Sequence, residues 1–267
     1  MHAAVLMTLA LAAGADPATA DSAAAVFEKA ASVAKTDPRL ARRLFGEAAG
    51  LYEKLLQQGA QNPQLYRNLG NAHFLAADPD DAQGDHLARA ILAYRRGLEL
   101  DPSDPHLQEN LEHARRLVNF PPPGTFGQPS LDDRPPWLPR LPALWFGLAA
   151  AGYLAAALGV ARWWMVRRRA WLSAAAGCVV LALAFAAAGG IELWHMDQQA
   201  RYPVVVVARD GVQLLTGNGS RYPPRYETML NRGVEARLRY ERGRWLQVEL
   251  GGGEIGWVPR AVVLPKE

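Results

Sequence analysis

The sequence predicts a multidomain membrane protein with an all-α N-terminal domain, a two-helix membrane hairpin and a small all-β barrel at the C-terminus. Three observations predict it. Apolar residues recur every three or four positions from residue 21 to residue 118, the period of an amphipathic helix. Residues 141–161 and 170–191 carry no charge, and each is long enough to cross a hydrocarbon core of about 30 Å. Beyond residue 200 the pattern changes to short β-branched runs broken by glycine turns, the mark of an all-β fold.

The chain opens on an apolar run at residues 3–13, too short to span a bilayer. Ala18-Thr19-Ala20 follows as a small-x-small site, so residues 1–20 are expected to be a secretory signal cleaved before Asp21. The helical domain is expected over residues 21–119. Asp37-Pro38, Asn62-Pro63 and Asp104-Pro105 each pair an N-cap with proline at the first helical position. Leu40, Leu44, Phe45, Ala48, Tyr52 and Leu55 mark the buried face of one helix, and Gly59 stops it. Leu65, Tyr66, Leu69 and Ala72 mark the next; Leu87, Ala90, Ile91, Tyr94 and Leu98 a third; Leu107, Leu111 and Ala114 a fourth.

Residues 120–142 contain eight prolines, and a linker is expected over 120–140. Proline cannot continue a helix, so this stretch reads as a semi-rigid spacer. Between the two apolar stretches, residues 162–169 carry Arg162, Arg167, Arg168 and Arg169. Arginine clustered in a short loop keeps that loop cytoplasmic. With the connector inside, both flanking domains lie outside the cytoplasm, in agreement with the signal-like start. Trp163, Trp164, Trp171 and Trp194 sit at the edges of the stretches, where amphipathic rings belong; Trp137 and Trp145 flank the start of the first. The β domain is expected over residues 200–267, from the Val204–Val207 run through turns at Asp210-Gly211, 216–219 and 251–253.

Composition narrows the function. The net charge of +3 includes the four hinge arginines, and the mean hydropathy of −0.10 averages polar domains with apolar stretches. No basic stripe with interleaved aromatics appears, so nucleic acid is not an expected partner. The single cysteine, Cys178, lies within the second apolar stretch, which excludes an intramolecular disulfide and cysteine-based metal clusters. His73, His86, His106 and His113 are scattered without ligand spacing and read as packing or surface residues. No cofactor and no catalytic constellation are expected.

Tyr66, Leu69 and Gly70, then Ala90, Tyr94, Gly97 and Pro102, resemble the tetratricopeptide repeat signature, with an eight-residue insertion at about 77–84. In that family Gly70 and Ala90 are the positions of close helix contact. Such repeats present a groove to a partner. By position, Arg67, Asn71 and Asn110 resemble the residues with which some of these domains hold an extended peptide. An amide can pair with peptide backbone and an Arg fork with a carboxylate. The residues alone leave a second reading open, in which the asparagines serve helix packing and Arg67 is solvated surface.

Gly243, Trp245 and Val248, then Gly256, Trp257 and Val258, resemble the closing pattern of bacterial SH3-like domains, and Gly233 falls where those domains place a glycine before a strand. Trp245 and Trp257 are candidate ligand residues, or core and rim residues of the barrel. The whole order resembles the BatE-like proteins of the aerotolerance-associated system, most closely over residues 65–117. The resemblance implies a non-catalytic envelope scaffold beside von Willebrand factor A domain proteins and MoxR-type ATPases, linked to stress tolerance. Two other classes stay open. One is a peptidoglycan-associated protein whose β domain binds cell wall while the repeats recruit a cell-wall enzyme. The other is a membrane enzyme, with Glu192, His195 and Asp197 as its best candidate residues.

Overall fold

The computed structural model describes residues 16–78, 80–81, 84–120 and 141–264. The expected signal therefore falls largely outside the described residues, and the proline-rich linker does so entirely but for Phe120. Five helices come first: α1 (Pro17–Val33), α2 (Pro38–Gln57), α3 (Pro63–Ala76), α4 (His86–Leu100) and α5 (Pro105–Arg116). Two long apolar helices follow, α6 (Pro142–Val166) and α7 (Arg169–Arg201). Among the described residues seven strands follow: β1 (Val204–Val207), β2 (Val212–Leu215), β3 (Pro224–Leu230), β4 (Glu235–Arg242), β5 (Trp245–Leu250), β6 (Ile255–Pro259) and β7 (Val263–Leu264).

The helix starts follow the capping residues. Asp37 accepts from Leu40 N at 3.0 Å, Asn62 from Leu65 N at 2.7 Å and Asp104 from Leu107 N at 3.2 Å. Each satisfies an amide that the first turn would leave unpaired. The expected cleavage point, Ala18–Ala20, lies within the first turn of α1, which Asp16 caps. The helices pair in sequence, α1 with α2 and α3 with α4, giving a helical-repeat-like region; α5 packs against α4 and α3. Gly70 permits the close approach of α3 and α4. A methyl there would fall into the Tyr94 ring, 2.6 Å from Cδ1 and 2.9 Å from Cζ.

The sheet is antiparallel throughout, with strand order β3-β2-β6-β5-β4-β1-β7. Among the described residues no pairing joins β3 to β7, so hydrogen bonding does not close the expected barrel. In β5 burial alternates: Leu246, Val248 and Leu250 are buried, and Trp245, Gln247 and Glu249 form the opposite face.

Helices and sheet belong to one unit. One apolar cluster runs from Leu87, Ile91, Tyr94, Leu107, Leu111 and Val118 into Val205, Val206, Leu214, Leu230, Val248 and Val258, and two further clusters lie among α1 to α4. The sequence divided these regions at residues 119 and 200; the structure joins them. β1 and β7 pack against α4. Gly233, at φ +86°, makes this possible twice over. It adopts a backbone conformation that side chains resist, and an added methyl would stand 2.6 Å from Val118 and 3.1 Å from Ile91.

At this seam lies the carboxylate of Glu235, only 1% exposed. Arg115 donates to it from Nε at 2.7 Å and Nη2 at 3.1 Å, and Arg95 donates from Nε. Burial pushes the Glu235 carboxyl up, but the Arg95 charge and the Arg115 hydrogen bonds outweigh it and hold the group below the ordinary glutamate value.

The second unit is the α6–α7 hairpin. Both helices are long and apolar enough to cross a membrane, with 18-residue stretches of mean hydropathy 1.7 and 2.2. They run antiparallel, as the close pairs Gly152–Ala182, Gly159–Ala175 and Gly189–Phe146 require. Glycine and alanine at these crossings let the backbones approach. Leu154, Leu158, Val180 and Leu183 remain exposed, a burden in water that a hydrocarbon phase removes. The helices exceed the apolar stretches, so the expected connector of residues 162–169 contracts to Arg167 and Arg168. Arg162 stands over the Trp171 ring at 6.0 Å and Arg167 over Trp163 at 5.5 Å, which anchors the turn by cation–π contact.

Candidate functional site

α1 and α3 are the first helices of two successive pairs and α5 follows them; side chains from all three line one small pocket of about 160 Å³. Phe27 comes from α1, Asn71, Phe74 and Leu75 from α3, and Asn110 and His113 from α5; Tyr94 of α4 joins them. Phe74 and His113 face each other with ring centroids 5.3 Å apart. Leu75 is 43% exposed.

Two of the three expected groove residues meet here. Asn71 Oδ1 accepts from Asn110 Nδ2 at 2.9 Å and from the Tyr94 hydroxyl at 2.9 Å. Burial pushes the Tyr94 hydroxyl far up, so it stays a donor. This arrangement uses one atom of each amide. Among the described residues, the Asn71 NH₂ and the Asn110 carbonyl have no protein partner. Neither is a buried unsatisfied atom. A donor and an acceptor therefore stand together beside an apolar wall, the complement of a peptide group.

Arg67 behaves differently. It lies one turn before Asn71, as expected, but its Nη1 stands 3.7 Å from Asp104, the N-cap of α5. It ties α3 to the start of α5, and an incoming carboxylate would have to displace Asp104. Sequence reasoning did not find Phe27, Phe74, Leu75 or His113. A signal existed for Phe27, since Ala23, Val26, Phe27 and Ala30 follow helical spacing, but alanine-rich sequence merges α1 into the signal-like start.

Of the packing and surface roles expected for the histidines, His73 and His86 take the packing role, the first buried and the second half-buried. Their Nδ1 atoms lie 3.0 Å apart, and His73 Nε2 lies 3.2 Å from Glu53 Oε1, which Arg89 also contacts at 3.2 Å. The His73 hydrogen bond holds the Glu53 carboxyl below its ordinary value, while burial and then the neighbouring His73 hold the His86 imidazole below its own. Neither these nor other described residues form a group of three or more metal-ligating side chains. In α7, Asp197 pairs with Arg201 at 2.8 Å, His195 stands edge-on to Trp194, and Glu192 is buried.

Trp245 and Trp257 are half-buried and lie outside the core, which Leu246, Val248 and Val258 fill. Gln247 stands in register between Tyr240 of β4 and Trp257 of β6. The Tyr240 and Trp257 rings meet edge to face at 6.2 Å. Of the core and rim positions expected for them besides ligand binding, both rings occupy the rim. Alternation along β5 gives the core face to the residues between them.

Comparison with protein-family models, with curated proteins and with solved structures finds no match to this chain.

Proposed function

We propose that this protein is a non-catalytic scaffold anchored in the inner membrane, whose helical groove holds an extended segment of another envelope protein. The observation that carries this is the Asn71–Asn110–Tyr94 network, which offers one amide donor and one carbonyl acceptor beside the Phe27, Phe74 and Leu75 wall. The helices fix these groups before a partner arrives, which lowers the ordering cost of binding. α6 and α7 serve as the anchor. The arginines at their connection set it in the cytoplasm, and the groove and sheet lie on the outer side. The resemblance to BatE-like proteins of the tetratricopeptide and SH3-like type supports partners among von Willebrand factor A domain proteins and the MoxR-type ATPase system.

Capture of partners from native membranes by the full chain tests this reading. Asn71→Asp keeps the acceptor that Tyr94 and Asn110 use and removes the outward donor. Asn71→Ala is a poorer probe, because it orphans the buried Tyr94 hydroxyl. Asn71→Asp combined with Asn110→Ala removes two hydrogen bonds to the partner, each contributing about 0.5–1.5 kcal/mol, so capture should weaken about tenfold. Undiminished capture by a variant that melts with the parent would end the groove reading.

One observation favours a second reading. Tyr240, Gln247 and Trp257 form a ring-and-amide row on the outer sheet face, which suits peptidoglycan. In that case Trp245→Ala/Trp257→Ala, rather than the asparagine variant, would abolish retention on the cell wall.

A further inference from the structure

A second cavity, of about 470 Å³, shares no residue with the groove. Its walls carry Arg39, Arg42 and Arg43 from the first turns of α2, His86 from the start of α4 and Arg232 from the β3–β4 turn. The carboxylates lining it are Asp78 and Asp81. Four guanidinium groups thus face two carboxylates.

The pairings do not use the arginines equally. Arg42 is bound to Asp78 at 2.6 Å. Arg232 donates to the Asp81 carbonyl and stands 3.6 Å from Asp210, which holds it in the wall. Arg43 reaches only Glu47 on its own helix, at 3.8 Å, with both side chains largely exposed. Arg39 has no ion pair among the described residues. Arg39 and Arg43 are one turn apart, where like charges repel. An anion between them removes that repulsion.

We propose that this cavity binds a phosphate group carried on a small organic moiety. A carboxylate is satisfied by one Arg fork, whereas the oxygens of a phosphate accept from several guanidinium groups together. The volume falls within the range of small-ligand sites, about 300–1,000 Å³. Bare phosphate would leave most of it to water, so a phosphomonoester fits better. That chemistry occurs both in soluble metabolites and in lipid headgroups.

Titration calorimetry on the full chain, in a detergent free of phosphate, tests the proposal. The probes are glycerol 3-phosphate, dihexanoyl phosphatidic acid and acetate. Saturable binding is expected for a phosphate probe and not for acetate. Equal affinity for both phosphate probes assigns the site to the soluble ester, and binding of the phosphatidic acid alone assigns it to a headgroup. Arg39→Gln/Arg43→Gln should weaken binding about ten- to a hundredfold. Both side chains extend from the helix surface, so the melting temperature should hold. Absence of heat with both phosphate probes, equal binding of acetate, or unchanged affinity in the double variant would overturn the assignment.

Discussion

Replacing Glu235 by glutamine is expected to destabilise the helical and sheet regions together, by about 3–5 kcal/mol. The substitution keeps the shape of the side chain and removes its charge. Arg95 and Arg115 are then left at a buried seam without a counter-charge. Since a domain's total stability is about 5–15 kcal/mol, the loss should appear as a large fall in melting temperature of the full chain in detergent. Both regions should melt in one transition, because α4 and α5 share one apolar cluster with the sheet. Glu235→Met made together with apolar replacements of Arg95 and Arg115 should recover much of the loss, since a well-packed apolar triad commonly matches a buried ion triad. A melt unchanged by Glu235→Gln, or separate transitions for helices and sheet in the parent, would contradict the single unit.

Acid should act on the same bond. The Glu235 carboxyl is held below its ordinary value in the folded chain, so the unfolded chain binds this proton more readily. The stabilisation is complete above the unfolded value of about 4.3 and is lost as pH falls through the lower folded value. Glu53 shifts in the same direction and adds to the acid sensitivity. Glu235→Gln should flatten the acid limb of the stability curve.

Gly70→Leu is the second large effect expected. The added side chain has to enter the space of the Tyr94 ring, which is buried and hydrogen-bonded to Asn71. Overpacking of this kind costs about 1–3 kcal/mol, and displacement of Tyr94 would also free the acceptor that orders the groove. Both stability and partner capture should fall. The nearest atoms to the methyl of Gly84→Ala are those of the Asp81 side chain and carbonyl, at 3.0–3.3 Å, so its melt should stay close to that of the parent. Equal melts for Gly70→Leu and the parent would show that the α3–α4 packing is misassigned.

Much of the helical region was legible because its boundaries are written in single residues. Asp-Pro and Asn-Pro pairs start the helices, and Gly59 ends α2. Gly70 stood out only through the resemblance to a repeat signature; in the structure a side chain there would meet the Tyr94 ring. The lengths of α6 and α7 were less legible. Charged ends such as Arg162 and Asp197 continue a helix while lowering hydropathy, so composition stops short of the true termini. The joining of helices to sheet was not legible. Glu235 looks like any strand glutamate until Arg95 and Arg115, more than a hundred residues earlier, converge on it. The site followed the same rule. Asn71 and Asn110 were singled out by resemblance, position for position, to groove residues of a repeat family, but the use of Arg67 by Asp104 depends on where α5 begins.

The interaction surface itself is best tested by light-induced crosslinking. A photoreactive phenylalanine analogue is placed at Leu75, exposed at the groove, and in a control at Glu47, which does not line it. Irradiation of the full chain in its native membrane should give a discrete protein adduct at Leu75 and none at Glu47. The adduct should fade in the Asn71→Asp/Asn110→Ala background. An adduct at Glu47 alone, or one at Leu75 indifferent to the asparagine changes, would contradict the groove as the surface through which this protein works.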